Sequence, residues 1–330
     1  MANTTRSAVQ TSGTSTGTIP REVSCFYDKA LLDRAVPAFV HNRFAQVRDL
    51  PRNSGTNIIK FRRYGSLTAN TTALTEGVTP SGTSLSVTDV SATVLQYGDY
   101  VTLTDIVQME TYDPILTETA EVLGEQAGDS LDQLCRDIIA AGTTIQYAST
   151  ATTVAEIDDP MKLDRAEVKE AVRTLKANDA KPIKSMVNPS TGYNTTPVGN
   201  SYVGIVHPYT TYDLDDATGW IPVEKYPNKS NVMPNEVGSL AGVRFIESTN
   251  AKTASGTLVT TVYKTIILAQ NAYAMTRISG ESLKNIVKPL GSAGTSDPLN
   301  QRSTSGWKAT YIATILNQDF LVVINHAVSA

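Results

Sequence analysis

One long apolar stripe constrains this chain more than any other feature. Leu116, Ala120, Leu123, Ala127, Leu131, Leu134 and Ile138 recur at spacings of three and four, which places them on one helix face. Asp113-Pro114 sets an N-cap residue before a proline suited to the first turn, and Gly142 follows as a stop. The spacing predicts a helix over 113–141, roughly 43 Å long at about 1.5 Å per residue. Charged residues interrupt it too often for a membrane span, so its apolar face needs a broad protein surface to lie on. A second helix is predicted over 164–178. There Asp164 and Glu167 form a capping box, and Val168, Ala171 and Leu175 share a face.

The surface for these helices comes from strands. Residues 57–64 read as a strand and 90–105 as its return, rich in aromatic and β-branched side chains. Between them, 71–86 is small and polar, with turn signals at Glu76-Gly77 and Pro80-Ser-Gly82. This reads as a long two-stranded hairpin, which is marginal in water without a partner surface. Downstream strands are predicted at 184–188, 202–206, 242–247, 259–269, 272–276 and 285–288, with a long final one at 308–325. A short helix is predicted at 209–217 and a loop at 291–305. Residues 1–20 are Ser/Thr/Gly-rich and cannot bury enough surface to offset their ordering, so they read as an arm. Apolar residues return over 26–47, around Pro37, as a short helix and an extended stretch. The class is α+β, and no solenoid-type repeat is visible.

Composition removes several functions. The 330 residues suffice for one large domain or two ordinary ones. Charged residues are 18%, below the roughly 25% of an average domain, and Ser, Thr, Asn and Gln fill the difference. Such broad polar surfaces suit contact with other protein. A formal net charge of -4 argues against a nucleic-acid binder that uses its whole surface. Cys25 and Cys135 are too few for a disulfide scaffold or a four-ligand zinc site, and read as reduced thiols in an intracellular product. No apolar leader precedes the arm, and apolar runs such as Phe320-Leu-Val-Val-Ile324 are too short to cross a membrane.

Apparent motifs dissolve on inspection. Gly13-Thr-Ser-Thr-Gly17 imitates a serine-hydrolase elbow but lacks the strand before it and the helix after it. His41, His207 and His326 lie far apart in sequence and read as structural or surface histidines. Asp213-Leu-Asp-Asp216 lacks the alternating acids of a calcium loop and reads as helix capping. There is no Gly-Lys-Ser/Thr phosphate loop, and Gly291-Ser-Ala-Gly294 is too small a pattern for one. No catalytic, cofactor-binding or metal-binding residue is assigned. Two charge clusters do stand out. Arg43, Arg48, Arg52, Lys60, Arg62 and Arg63 sit within 21 residues, opposed locally by Asp49 alone. Glu110, Asp113, Glu118, Glu121, Glu125, Asp129, Asp132 and Asp137 load the long helix, opposed by Arg136. They are either two solvated faces or two complementary surfaces, within one chain or between copies.

An arm, a long hairpin, a long helix and a mixed β region follow one another in a familiar order. The chain resembles the Hong Kong ninety-seven-like capsid fold of tailed phages and herpesviruses, and within it the N-four-type major capsid protein family. The carrying segments are Leu74-Thr-Glu-Gly-Val-Thr-Pro80, Gln96-Tyr-Gly-Asp-Tyr-Val-Thr-Leu-Thr-Asp105 and Leu123-Gly-Glu-Gln-Ala-Gly128. Then come Glu236-Val-Gly-Ser-Leu-Ala-Gly-Val-Arg-Phe-Ile-Glu-Ser248, Val287-Lys-Pro289, Asp297-Pro-Leu-Asn-Gln301 and Gly306-Trp-Lys308.

The resemblance implies an N-terminal arm over 1–50 and an extended β-hairpin, the E-loop, over 51–107. It implies a peripheral domain over 108–200 and 283–330 that carries the spine helix 113–141, and an axial domain over 201–282. The implied function is structural and not enzymatic. Identical subunits, as hexamers and pentamers, assemble into an icosahedral shell around phage double-stranded DNA, without sequence-specific contact, cofactor or membrane. A portal and separate scaffolding or decoration proteins are the implied partners. The implied place is the virion capsid, assembled in the host bacterial cytoplasm. A fused scaffolding domain is not expected, and no lysine–asparagine cross-linking pair can be picked out. An encapsulin-like compartment holding cargo protein is the alternative within the fold, and a hydrolase using Ser15 is the alternative outside it. In such shells the E-loop of one subunit lies across the peripheral domain of the next. Arg52, Lys60, Arg62 and Arg63 are therefore expected to meet Glu118, Glu121, Glu125 and Asp129 of a neighbour, with pairing inside one subunit or plain solvation as the competing readings.

Overall fold

Alternation of apolar and polar side chains builds two sheets, and one long helix lies between them in a computed structural model. It describes residues 39–53, 55–110, 115–188, 194–226, 232–281 and 283–329. In chain order the strands and helices are β1 (Gln46–Leu50), β2 (Ile58–Tyr64), β3 (Val87–Thr93), β4 (Leu95–Thr104), α1 (Asp105–Glu110), α2 (Ile115–Ile139), β5 (Ile145–Tyr147) and α3 (Arg165–Ala177). There follow β6 (Ile183–Asn188), β7 (Asn194–Val206), α4 (Pro208–Asp215), β8 (Ile221–Pro222), β9 (Glu236–Leu240), β10 (Val243–Glu247), β11 (Thr253–Ser255) and β12 (Thr261–Leu268). The last are β13 (Tyr273–Ile278), β14 (Lys284–Lys288), β15 (Arg302–Ile315) and β16 (Leu321–His326). The class is α+β, with few helices and many strands.

Among the described residues, one sheet has the order β1-β13-β15-β14, with β4 also paired to β15. The other runs β5-β16-β12-β7-β10-β9-β8, with β11 on β12 and β6 on β7. β2 and β3 form a separate two-stranded ribbon. Sheet membership cuts across linear order. β5 and β16 join the sheet of β7 to β12, whereas β13 lies with β4, β14 and β15.

The long helix behaves as its stripe predicts. Leu123, Ala127, Leu131, Cys135 and Ile139 are buried against Trp307, Ala309 and Tyr311 of β15 and against Ile205, Ile266 and Val323 of the larger sheet, and Ala120 is buried too. Leu134 and Ile138 pack at its margin. The expected cap at Asp113 lies outside the described residues. The other face of the larger sheet, with Val206, Phe245, Ile267, Val322 and Ile324, is covered by Val168, Ala171 and Leu175 of α3 and Leu214 of α4. β16 is thus sandwiched, and all six of its residues are buried. This explains its unbroken apolar run. The capping box of Asp164 and Glu167 is present at the start of α3.

Three strand expectations need correction. The hairpin return is two strands, because β3 pairs with β2 whereas β4 leaves to pair with β15 over ten positions. The change of partner falls at Val94, which is buried and donates its backbone N–H to the carbonyl of Asn57 at 2.8 Å. The single final strand is also two, in different sheets. Asn317-Gln-Asp319 ends β15 in a short turn whose Asn317 side chain accepts from the Asp319 N–H at 3.3 Å. The loop after β14 stops at Gln301, since 302–305 already belong to β15.

Candidate assembly interface

The β2–β3 ribbon has two unlike faces. Its register, from Ile58 opposite Thr93 to Tyr64 opposite Val87, puts Ile59, Phe61, Val90 and Ala92 on one side. Lys60, Arg62, Asp89 and Ser91 are on the other. Beyond Gly65, whose N–H bonds the carbonyl of Ser86 at 2.9 Å, residues 66–85 carry no strand or helix. Gly77 takes φ 76° in the turn that the sequence signals, and the Val78 N–H reaches the carbonyl of Thr75. Leu67, Leu74, Val78 and Leu85 are all exposed there, Leu74 by 76%. So much exposed aliphatic surface on one loop is a contact surface in search of a partner.

The ribbon is rooted rigidly. β4 lies so close to β15 that a Cβ on Gly98 would sit 2.6 Å from the carbonyl oxygen of Trp307, and one on Gly306 would sit 2.7 Å from Cβ of Tyr100. The indole N–H of Trp307 donates to Oε1 of Gln126 on α2 at 3.2 Å, and Nε2 of Gln126 donates to Asp99 at 2.7 Å. That hydrogen bond, with a second from the Tyr100 N–H, holds the Asp99 carboxyl below its ordinary pKa. The relay ties strand, sheet and helix together.

The first described stretch, residues 39–45, is held as firmly. Asp132 points into the core and not, as the charge pattern suggests, toward a partner. Its Oδ1 accepts from the backbone N–H groups of Val40 and His41 at 2.8 Å, and its Oδ2 meets Nδ1 of His41 at 2.7 Å, with both side chains fully buried. The Tyr273 hydroxyl bonds the His41 carbonyl, and Tyr311 bonds the Asn42 side chain. The Arg43 guanidinium, also buried, donates to the Pro234 carbonyl at 2.8 Å. Cys135 is buried beside this turn, and burial drives its thiol pKa far above the ordinary value, so it is an unreactive thiol. Residues 1–38 of the expected arm, with Cys25, the Gly13–Gly17 motif and most of the short helix expected within 26–47, lie outside the described residues.

The expected contact residues fall into two groups. Arg52 is paired with Glu281, and Arg62 with Asp89 directly across the ribbon at 3.0 Å. The hydrogen bond from Arg62 is the largest influence lowering the Asp89 pKa. Lys60, Arg63, Glu118 and Glu125 are exposed, and Glu121 is half-buried. Asp129 accepts from Gln133 at 2.7 Å and from the Asn250 side chain. Glu125 and Asp129 line a groove of about 570 Å³ with Glu236 and Glu247. Sequence reading missed this groove, because Asn235 to Val237 and Glu247 to Asn250 supply most of it from more than a hundred residues away.

The remaining candidates are structural. Asp213 accepts from the Ser329 N–H at 2.9 Å and pairs with Lys162 at 3.5 Å, so it fastens the last residues of the chain, and Asp216 is the residue that caps α4. His207 caps the start of α4, accepting from the Tyr209 N–H. Among the described residues no group of three metal-ligating side chains comes together.

No protein-family model matches the chain, and no curated protein matches it. Solved structures do. A chain of the capsid of Ralstonia phage GP4 superposes with TM-score 0.68 at 12% identity, covering 88% of this chain and 89% of that one. The capsid asymmetric unit of cyanophage Pam1 gives 0.63 at 14% identity over 100% of both chains. The mature capsid of bacteriophage PhiM1 gives 0.59 at 14% identity, over 95% and 89%. At these identities the likeness is one of fold: the chain folds as these phage capsid chains do.

Proposed function

We propose that this chain is a major capsid protein of the N-four type, whose copies assemble into an icosahedral shell around phage double-stranded DNA. The observation that carries the reading is the unsatisfied ribbon. A body with the fold of phage capsid chains projects a two-stranded hairpin whose loop exposes four aliphatic side chains that its own subunit leaves bare. The role is structural, with no chemistry on a substrate. In the linear division the arm is 1–50, the E-loop 51–107, the peripheral domain 108–200 with 283–330, and the axial domain 201–282. The last two draw strands from both sides of their borders. Neighbours meet as the E-loop of one crosses the peripheral domain of the next. Lys60 and Arg62 on one face of the ribbon, Arg63 on the other and Arg52 at its foot meet Glu118, Glu121, Glu125 and Asp129 there. Hexamers and pentamers of the same chain, a portal, and scaffolding or decoration proteins complete the virion capsid, which assembles in the bacterial host cytoplasm.

Protein purified from phage-infected cells tests this by electron microscopy and the ratio of absorbance at nucleic-acid and protein wavelengths. Closed shells rich in nucleic acid are expected. Shells filled with protein would support the encapsulin-like alternative, and a chain that stays a monomer under all conditions would overturn the reading.

A further inference from the structure

We propose that the outward face of β4, β15 and β14 binds the phosphodiester backbone of nucleic acid, which makes it the surface that the shell turns toward its contents. This rests on the capsid reading and adds a site to it. The face is the side of the sheet away from α2, and it forms a groove of about 680 Å³. Lys288, Arg302 and Lys308 line it, all three exposed. None of them forms an ion pair among the described residues. The nearby carboxylate of Glu281 is taken by Arg52 and Lys284 instead.

The two acids at the groove do not neutralise it. Asp99 is turned to the helix side, where it is bonded to Gln126. Asp297 is buried and accepts the Arg302 backbone N–H at 2.7 Å. The solvent-facing charge is therefore three positive groups. Arg302 and Lys308 share one face of β15 six residues apart, about 20 Å at about 3.3 Å per residue. Lys288 stands between them, opposite Thr304. That span matches about six base-pair steps of duplex.

The other groups fit the same ligand. Thr102 and Thr304 face each other in register on this side and offer hydroxyls, the second common partner of phosphate oxygens after Arg and Lys. Tyr100, exposed by 68%, presents a ring to a sugar or base. These groups lie on the face of a multi-stranded sheet, which is too broad to enter the major groove where base edges are read. Binding should therefore ignore sequence, and a chain of net charge -4 can hold DNA here without gripping it over its whole surface.

The test uses the purified full chain and short fluorescent DNA duplexes of two unrelated sequences, titrated at several salt concentrations. Equal affinity for both sequences is expected, falling with salt. The triple variant K288Q/R302Q/K308Q should bind about tenfold more weakly and lower the log–log salt slope by about 2–3, near 0.9 per lost phosphate contact. The single variants should each lower it by about one. Removal of three exposed lysines elsewhere, K169Q/K176Q/K181Q, should change neither. Unchanged binding in the triple variant, or an equal loss in the control, would overturn the proposal. So would an acidic peptide binding the groove more tightly than duplex, which would assign it to a protein partner. Shell formation by the triple variant, followed by microscopy, separates failure of this site from failure of the capsid reading.

Discussion

His326, near the end of the chain, carries the clearest titration in the molecule. It is fully buried, its Nδ1 lies 2.8 Å from the Ala327 carbonyl, and its Nε2 lies 2.9 Å from the Thr265 hydroxyl. A carbonyl only accepts, so the proton sits on Nδ1, and Nε2 accepts from Thr265 in the neutral ring. Burial accordingly pushes the His326 pKa down to about 4. In the unfolded chain the same ring titrates near 6.5. Between those values the unfolded state takes up a proton that the native state refuses, so stability falls as pH drops through that window. The loss should be about 2 kcal/mol by pH 5 relative to pH 7.5. Urea titrations at the two pH values should show it in the native sequence and show it reduced by about that amount in His326→Gln. Equal pH dependence in both proteins would refute the assignment. None of this is legible in sequence, where the ring reads only as structural or surface. The buried pair of His41 and Asp132 is equally hidden, because ninety-one residues separate its members and an acid on a helix counts as surface until the fold turns it inward.

Among the elements, the ribbon makes the sharpest demand. Arg62 already has its partner in Asp89, and Arg52 in Glu281, so Lys60 and Arg63 are the cations to test in trans. Exposed single pairs contribute only about 0–1 kcal/mol each, and the effect must come from repetition at every interface. Lys60→Glu with Arg63→Glu should slow or block assembly in a light-scattering assay, and Glu121→Lys with Glu125→Lys should partly restore it. Normal assembly of the first pair would contradict the contact, and loss without rescue would leave pairing inside one subunit as the better account. Periodicity served well for elements with one buried face. The stripe of α2 and the box that starts α3 are both as read. It failed where a strand changes partner, at Val94 and at 316–320, since β-branched runs do not announce which neighbour they pair with. β9 escaped for a local reason. Its turn into β10 is Ala241-Gly242 with φ 53° and 87°, and alanine at a positive-φ position hides a hairpin that Asn-Gly would have advertised.

At the scale of the whole molecule, the fold explains why one surface is spare. The larger sheet is covered on both faces by helices, and α2 is clasped by β15 and by the buried turn at 39–45. Both faces of the larger sheet are thus covered from within the chain, whereas the loop of the ribbon is left bare. The order of arm, hairpin, long helix and mixed β region made the likeness to phage capsid chains legible in the sequence. Sheet membership was not legible, because strands such as β5 and β16 find their places through contacts between distant parts of the chain. The most direct measurement is an image reconstruction of the assembled particle at side-chain resolution. Density for residues 66–85 should lie across a neighbouring subunit, with Leu74 and Val78 covered by it. A loop folded back on its own subunit, with those side chains still facing solvent, would contradict the account.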